Sequence, residues 1–252
     1  NLRLIVTSGP KNAAIDVAAC TARGITVCGT ESRKTTTSEL SVLMMLALNR
    51  RLLPEVASLN AGGWQAGLGR DVAGLTLGLV GLGNIGTQMA VLGKALGMEI
   101  AAWSQNLSEE RCQALGVRKM ASLGDLLATS DVASVHLVLS ERTTGLIDRA
   151  ALASAKPGMV LINTSRGPIV ESDAVLDWLR RDPAAKAGLD VFDSEPLPQD
   201  DPLRADDLVS EGRLLLTPHL GYTTEATFRL FYTQTAEAIR AWQAGAPIRV
   251  IA

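Results

Sequence analysis

Apolar runs alternate with stretches of helical periodicity along most of this chain. Short β-rich runs predict strands, and apolar positions three and four residues apart predict the helices between them. We expect strands at residues 75–80, 99–103, 131–139, 159–163, 187–191 and 214–216. We expect helices after residue 86 and at residues 108–115, 122–128, 149–155 and 172–180. This alternation is typical of a parallel sheet with helices on both faces, whose ligands bind beyond the carboxyl ends of the strands.

Both ends of the chain depart from this central pattern. The first 30 residues predict a β-α-β piece with no visible beginning, and residues 223–244 predict one final helix. A long amphipathic helix should start near residue 36, and we expect Pro54 to kink or interrupt it. We therefore place domain boundaries near residues 35 and 222. Residues 35–222 form one domain, and residues 1–34 with 223–252 form a second, smaller one.

A glycine-rich connector follows the long helix. It contains Gly62-Gly63-Trp64 and Gly67-Leu68-Gly69, so it combines flexibility with one aromatic anchor. Two interpretations stay open from the sequence. The connector is either a packed surface loop or a contact between two copies of the chain.

The motif Gly81-x-Gly83-x-x-Gly86 lies between the run at 75–80 and a helical pattern. In this strand–turn–helix setting, Gly81 permits the turn, Gly83 lets a pyrophosphate approach the backbone, and Gly86 allows close packing of helix and strand. The N–H groups at the helix start would face the phosphates. The motif alone is weak evidence, but its flanks favour a dinucleotide site over an ordinary loop.

Charge and composition narrow the class of partner. Apolar residues make up 47 % of the chain and the net charge is −2, which gives no indication of a nucleic-acid or membrane partner. The three cysteines have no metal-ligand spacing, and only two histidines are present, so we expect no metal site. The odd cysteine number favours a reduced, cytoplasmic location.

Three polar motifs follow strand-like runs. Asn163-Thr-Ser-Arg166-Gly, Asp190-Val-Phe-Asp-Ser-Glu195-Pro and Thr217-Pro-His219 each end one run. Taken singly, an arginine beside glycine, a glutamate before proline and a lone histidine are ordinary loop residues. At one edge of a parallel sheet they form an anion clamp, an acid and a base. Arg166 has the forked cation that suits a carboxylate, and His219 exchanges protons near neutral pH, with Glu195 able to orient and charge it.

With these motifs the chain resembles the D-isomer-specific 2-hydroxyacid dehydrogenase family. The resemblance rests on the glycine turn at 81–86 and on the three polar motifs, and it extends over nearly the whole chain. It implies an α/β fold, with a doubly wound parallel (Rossmann) nucleotide-binding domain. It also implies a second, smaller, flavodoxin-like substrate domain that begins several elements earlier, so we expect that domain to be truncated at its N-terminus here.

The resemblance also implies a reaction. The chain would transfer a hydride between NAD(P)H and a small 2-keto acid or D-2-hydroxy acid. Arg166 would hold the substrate carboxylate and polarise the keto oxygen, and His219, paired with Glu195, would exchange the proton at the C2 oxygen. NAD(H) or NADP(H) would contact a set of residues in which Asp190 holds the nicotinamide carboxamide: Gly81, Gly83, Asn84, Ile85, Gly86, Ser104, Thr164, Asp190, His219 and Gly221.

Three departures from the family pattern limit the reading. Ser104 stands where the family often has an acidic residue for the ribose, so we expect NADPH to be accepted at least comparably with NADH. The loop at 9–13 has Pro10, which has no N–H for a carboxylate, and Lys11, which adds charge. His136 is followed by Val138 rather than the usual proline, and we interpret it as a structural residue near the adenine.

One alternative function belongs to a different class. A non-enzymatic, dinucleotide-sensing co-repressor shares this fold and even the Arg–Glu–His set. We rank it below an enzyme that acts on a small-molecule substrate, because the chain has no DNA-directed charge. For the enzyme we expect a homodimer.

Overall fold

The protein, seen here in a computed structural model, is described for residues 1–12, 14–204 and 207–252. Ala13, in the loop discussed above, lies outside the described residues. The chain divides into two compact units, residues 1–36 with 222–252 and residues 37–221. Their assignment to a substrate domain and a cofactor domain stays a prediction.

The larger unit is built on a seven-stranded sheet in which every pairing is parallel. Its strands are β3 (Thr76–Val80), β4 (Glu99–Trp103), β5 (Arg118–Lys119), β6 (Val132–Val135), β7 (Val160–Asn163), β8 (Lys186–Leu189) and β9 (Leu214–Leu216). Their order across the sheet is β5-β4-β3-β6-β7-β8-β9. The order reverses between β3 and β6, which is where such sheets open a crevice for ligands. The predicted doubly wound α/β fold is confirmed.

Helices cover both faces of this sheet. They are α2 (Thr36–Asn49), α3 (Leu52–Asn60), α4 (Asn84–Ala95), α5 (Glu109–Leu115), α6 (Leu123–Thr129), α7 (Arg149–Ala153), α8 (Ser172–Arg181) and α9 (Asp207–Ser210). Met44, Met89 and Cys112 pack one face, and Leu152 and Trp178 belong to the core on the other. Because both faces are covered, β6 and β7 are buried along their whole length, as their continuous apolar runs require.

The smaller unit contains two short parallel strands, β1 (Leu4–Val6) and β2 (Thr26–Cys28). Helix α1 (Val17–Ala22) connects them, and α10 (Glu225–Gln243) packs beside β1. The end of the chain returns to this sheet, where the Val27 N–H donates to the Ala252 carbonyl. The expected β-α-β piece and final helix are confirmed as elements.

The structure differs from the sequence prediction at three local points. The predicted interruption of the long helix is present, but it lies at Arg51, which takes a left-handed conformation (φ 55°), and not at Pro54. Pro54 lies in the first turn of α3, where its missing N–H is not needed. Strand β6 ends at Val135 rather than at residue 139, and the Val138 carbonyl beyond it accepts a hydrogen bond from the Thr143 hydroxyl of the turn that follows. Elements β5 and α9 are too short for a sequence pattern.

Candidate active site

The glycine turn between β3 and α4 is shaped by missing side chains. Gly81 has φ 105° and donates its N–H to the Trp103 carbonyl, 2.9 Å away. A Cβ on Gly81 would lie 2.6 Å from the His136 carbonyl oxygen, and one on Gly86 would lie 2.1 Å from the Gly81 carbonyl oxygen. Only glycine therefore fits these two positions without a shift of the backbone.

Gly83 differs from its two neighbours in the turn. A Cβ there would meet nothing within 4 Å, so the backbone at Gly83 faces open space. Gly83 is also the N-cap of α4 and has no side chain to bond the first N–H groups, at Asn84 and Ile85. An open approach beside uncapped N–H groups fits a dinucleotide pyrophosphate.

Two predicted neighbours lie at the ends of adjacent strands. Ser104 follows β4, is half-buried, and accepts the Leu107 N–H through its backbone carbonyl. His136 follows β6, and its Nε2 lies 2.8 Å from the Ser134 hydroxyl. Burial lowers the pKa of His136 to about 3, so its ring is neutral at physiological pH. The contact with Ser134 agrees with a structural role for His136.

The turn that carries Arg166 is held by Asn163 at the end of β7. The Asn163 side chain accepts the Ser165 N–H (3.0 Å) and donates to the Arg166 carbonyl (3.0 Å). A Cβ on Gly167 would lie 2.1 Å from the carbonyl carbon of Phe192, so this turn packs directly on the loop after β8. The guanidinium of Arg166 is exposed, and it forms no ion pair with a carboxylate among the described residues.

Thr164, in the same turn, is buried. Its hydroxyl lies 2.8 Å from the Ser41 hydroxyl of α2. This contact links α2 to the end of β7. The cofactor contact of Thr164 stays a prediction.

Asp190, which follows β8, is fully buried, and its carboxylate accepts three hydrogen bonds. Oδ1 accepts from the Thr217 hydroxyl (2.6 Å) and the Leu220 N–H (2.7 Å), and Oδ2 accepts from the Gly221 N–H (2.9 Å). Burial raises the pKa of Asp190, and these three donors oppose that change. Asp190 therefore holds the segment that carries His219. No sequence signal indicated this positioning role, and a contact of Asp190 with a carboxamide stays a prediction.

His219 and Glu195 are brought together at the end of β9. Nδ1 of His219 lies 2.6 Å from Oε2 of Glu195. The other carboxylate oxygen, Oε1, accepts the Phe192 N–H (3.0 Å), which fixes the glutamate in place. His219 has φ 53°, and its N–H donates to the Asp190 carbonyl (2.9 Å). A non-glycine residue held in this left-handed conformation is a marker of functional sites.

The predicted residues thus lie at the carboxyl ends of β3, β4, β7, β8 and β9. A cavity of about 410 Å³ lies beside His219 and Glu195, and it is lined mainly by Phe192, Pro196, Leu197, Leu216 and Pro218. Among the described residues, no cluster of three or more His, Cys, Asp or Glu side chains could hold a metal ion. None of the helices in the described part of the chain has the length and apolar character needed to cross a membrane.

Comparisons with known proteins agree with this geometry. Residues 42–221 match the family described as "D-isomer specific 2-hydroxyacid dehydrogenase, NAD binding domain". The chain is 36 % identical over 247 residues to D-3-phosphoglycerate dehydrogenase of Mycobacterium leprae. This alignment covers 97 % of this chain and 46 % of that protein. The chain spans about half the length of the phosphoglycerate dehydrogenases that it matches.

Solved structures give the same relationship. Phosphoglycerate oxidoreductase from Vibrio cholerae O395 superposes with a TM-score of 0.90 at 33 % identity, covering 98 % of this chain and 78 % of that chain. D-lactate dehydrogenase from Aquifex aeolicus, complexed with NAD and lactic acid, superposes with a TM-score of 0.84 at 28 % identity, covering 97 % and 77 %.

The fold and the match over residues 42–221 define the class of protein. This chain belongs to the D-isomer specific 2-hydroxyacid dehydrogenase family, and residues 42–221 are the family's NAD-binding domain. The resemblance stated from the motifs is confirmed, and so is the prediction of a nicotinamide dinucleotide cofactor, at the level of NAD.

Proposed function

We propose that this chain is an oxidoreductase that interconverts a small 2-keto acid and the corresponding D-2-hydroxy acid with NAD(H) or NADP(H). The observation that carries the proposal is the His219–Glu195 pair, held 2.6 Å apart at the ligand-binding edge of an NAD-binding domain. When bound, the nicotinamide supplies the hydride to C2 of the keto acid, or accepts it from C2 of the hydroxy acid.

Arg166 binds the substrate in this proposal. Its exposed guanidinium has no carboxylate partner among the described residues, so its charge is available for the carboxylate of a 2-keto acid. Two parallel hydrogen bonds from the fork would fix that carboxylate and bring the neighbouring keto oxygen under the same positive charge. The Asn163 contacts on both sides of Arg166 support this role, because they hold the backbone from which the guanidinium projects.

His219 moves the proton at the C2 oxygen. The Glu195 carboxylate at Nδ1 requires that nitrogen to carry a hydrogen, and this leaves Nε2 as the atom that gives or takes the proton. Glu195 also stabilises the imidazolium before the proton is given. Asp190 is a positioning residue in this proposal, since its carboxylate accepts hydrogen bonds from the Thr217 hydroxyl and from the Leu220 and Gly221 N–H groups around His219.

The glycine turn at Gly81, Gly83 and Gly86 would hold the pyrophosphate, together with the N–H groups of Asn84 and Ile85. Ser104 would lie at the adenosine ribose, and Thr164, Asp190, His219 and Gly221 would lie toward the nicotinamide. Because Ser104 is neutral, we propose that NADP(H) is accepted as well as NAD(H).

A keto-acid screen tests this function. The chain is assayed with glyoxylate, hydroxypyruvate and pyruvate, each with NADH and with NADPH, while the loss of absorbance of the reduced cofactor is followed. We expect slow turnover with at least one acid, and we expect its loss in His219→Asn. Cofactor binding without turnover on any 2-keto acid would contradict the proposal and favour the dinucleotide-sensing alternative.

The homodimer and the cytoplasmic location remain proposals. Helix α3 has no buried residue, and the connector after it exposes Trp64 (74 %) and Leu68 (96 %). An interface between two copies of the chain would cover such apolar side chains. Measuring the mass in solution for wild type and Trp64→Ala tests this.

Cys20, Cys28 and Cys112 are all unpaired, which agrees with a reducing location.

A further inference from the structure

Arg111 reaches back to the helix that starts at the glycine turn. Its Nη2 donates to the Thr87 hydroxyl of α4 at 2.9 Å. The Thr87 N–H in turn donates to the Gly83 carbonyl (2.9 Å), so the guanidinium lies one helical turn from the open face at Gly83. Sequence distance hides this contact, because Arg111 comes seven residues after Ser104, where an arginine for the cofactor would be sought.

The backbone of Arg111 is anchored by its neighbours in α5. Cys112, its neighbour on α5, is fully buried in the core, and the Ser108 hydroxyl accepts the Arg111 N–H (3.2 Å) at the start of this helix. The segment after β4 turns back at once, since the Leu107 N–H donates to the Ser104 carbonyl. The guanidinium is therefore presented by a well-anchored helix on the side of the sheet where β4 ends.

The charge of Arg111 is not neutralised locally. Glu109 and Glu110 are on the same helix, yet no carboxylate forms an ion pair with Arg111 in the described part of the chain. Hydrogen bonding with its own backbone N–H and with Ser108 lowers the pKa of Glu110, and the charge of Lys119 adds to this effect. Arg111 keeps most of its five N–H donors for a further acceptor.

We propose that Arg111 binds the 2′-phosphate of an NADP-type cofactor and so sets the cofactor preference of this chain. The inference rests on the proposed dinucleotide site, but not on turnover of any substrate. A 2′-phosphate at the adenosine ribose would meet a planar fork that can donate two parallel hydrogen bonds. Ser104 supports this preference passively, because it places no negative charge beside the phosphate.

Binding of two nucleotide fragments tests the proposal without catalysis. Adenosine 2′,5′-bisphosphate and 5′-AMP differ only in the 2′-phosphate, and calorimetric titration of the full chain gives Kd for each. We expect Arg111→Gln to weaken binding of the bisphosphate by about tenfold to a hundredfold, as for a lost hydrogen bond to a charged group. We expect its Kd for 5′-AMP to stay within about twofold.

Two further variants separate charge from structure. Arg111→Lys keeps the charge without the fork, so we expect an intermediate loss for the bisphosphate alone. Arg118→Gln, a matched change at another exposed arginine just beyond α5, should alter neither Kd. The melting temperature of each variant shows that it is folded. Ser104→Asp should also weaken the bisphosphate selectively, by repulsion of like charges.

Each outcome decides the matter. An equal loss of both fragments in Arg111→Gln, or no loss of either, would overturn the assignment and leave Arg111 as a tie between α4 and α5. If neither fragment binds to wild type, the dinucleotide site itself is wrong and the assignment falls with it. If the keto-acid screen finds no turnover while the discrimination between fragments persists, the proposed reaction fails and the role of Arg111 stands.

Discussion

Two regions at the carboxyl edge of the sheet differ in how they are built. The turn after β3 consists of glycines, whose missing side chains allow close backbone approach, whereas after β7, β8 and β9 polar side chains hold the backbone in place. There is no space for a Cβ at Gly81 or Gly86, whereas the backbone of Gly83 faces open space. Asn163, Asp190 and Glu195 instead each bond to main-chain groups a few residues or a whole strand away. The first region is defined by the steric space at its glycines, and the second is defined by a network of hydrogen bonds.

This difference predicts different responses to mutation. Changes at the glycine turn act through steric clash, so they alter folding or dinucleotide binding according to the space at each position. Changes at Arg166 and His219, the two side chains at the β7–β9 end that would act on substrate, remove charge or a proton, so they alter the reaction while the fold persists. Variants that mix these responses would show that the two regions are not distinct.

The largest effect is expected at His219. His219→Asn removes the imidazole but keeps a residue that tolerates the left-handed conformation seen here (φ 53°). We expect kcat to fall by about 10²–10⁴-fold, the usual worth of general acid–base catalysis, while the Kd for the dinucleotide changes little. Steady-state kinetics and calorimetric titration measure the two quantities. A variant that kept most of its kcat would remove His219 from the reaction.

Arg166→Lys should have the next largest effect. An ammonium is a point charge and cannot make two parallel hydrogen bonds to a carboxylate. We expect kcat/KM to fall by roughly 10- to 100-fold, the worth of one hydrogen bond to a charged group, with the loss shared between substrate binding and chemistry. Arg149→Lys, at an exposed arginine paired with Asp177, is the matched control and should leave kcat/KM unchanged. Equal kinetics for both variants would contradict the role of Arg166.

The two regions also differed in how far the sequence predicted them. The structural roles of Gly81 and Gly86 are local, because the atoms that a Cβ would clash with belong to the turn itself or to the end of the neighbouring strand. The spacing of the glycines was therefore sufficient. The meeting of Glu195 and His219 was also predictable, since the carboxyl ends of parallel strands lie at one edge.

Contacts between distant polar groups could not be predicted in this way. Asp190 bonds to Thr217, Leu220 and Gly221, and nothing in the sequence distinguishes these from other possible donors. Arg111 reaches Thr87 only because the chain turns back immediately after β4. The Val138 carbonyl, in the apolar run beyond β6, likewise accepts a hydrogen bond from the Thr143 hydroxyl, and an apolar pattern does not predict such a side-chain contact.

Alanine substitutions at two of the glycines should separate steric effects on stability from effects on dinucleotide affinity. In Gly86→Ala the new Cβ would lie 2.1 Å from the Gly81 carbonyl oxygen, so we expect a loss of about 1–3 kcal/mol in the free energy of unfolding. In Gly83→Ala the Cβ meets nothing within 4 Å, so stability should change by less than ~0.5 kcal/mol while dinucleotide affinity falls. Denaturant unfolding and calorimetric titration distinguish them. Similar stability losses in both variants would contradict the steric account.

The smallest effect concerns pH and His136. Burial holds the pKa of His136 at about 3 in the folded chain, against ~6.5 for an exposed histidine. Between these values the unfolded chain binds a proton that the folded chain does not, so this histidine makes stability fall as the pH drops below ~6.5. His136→Gln removes that dependence and can keep a hydrogen bond to Ser134.

We therefore expect the unfolding free energy of wild type to decrease between pH 6 and pH 4 more steeply than that of His136→Gln. The difference has an upper limit of ~1.4 kcal/mol per pH unit, which corresponds to one proton. Urea titrations at several pH values measure both slopes. Equal slopes for wild type and His136→Gln would mean that burial does not lower the pKa of His136 in the folded chain.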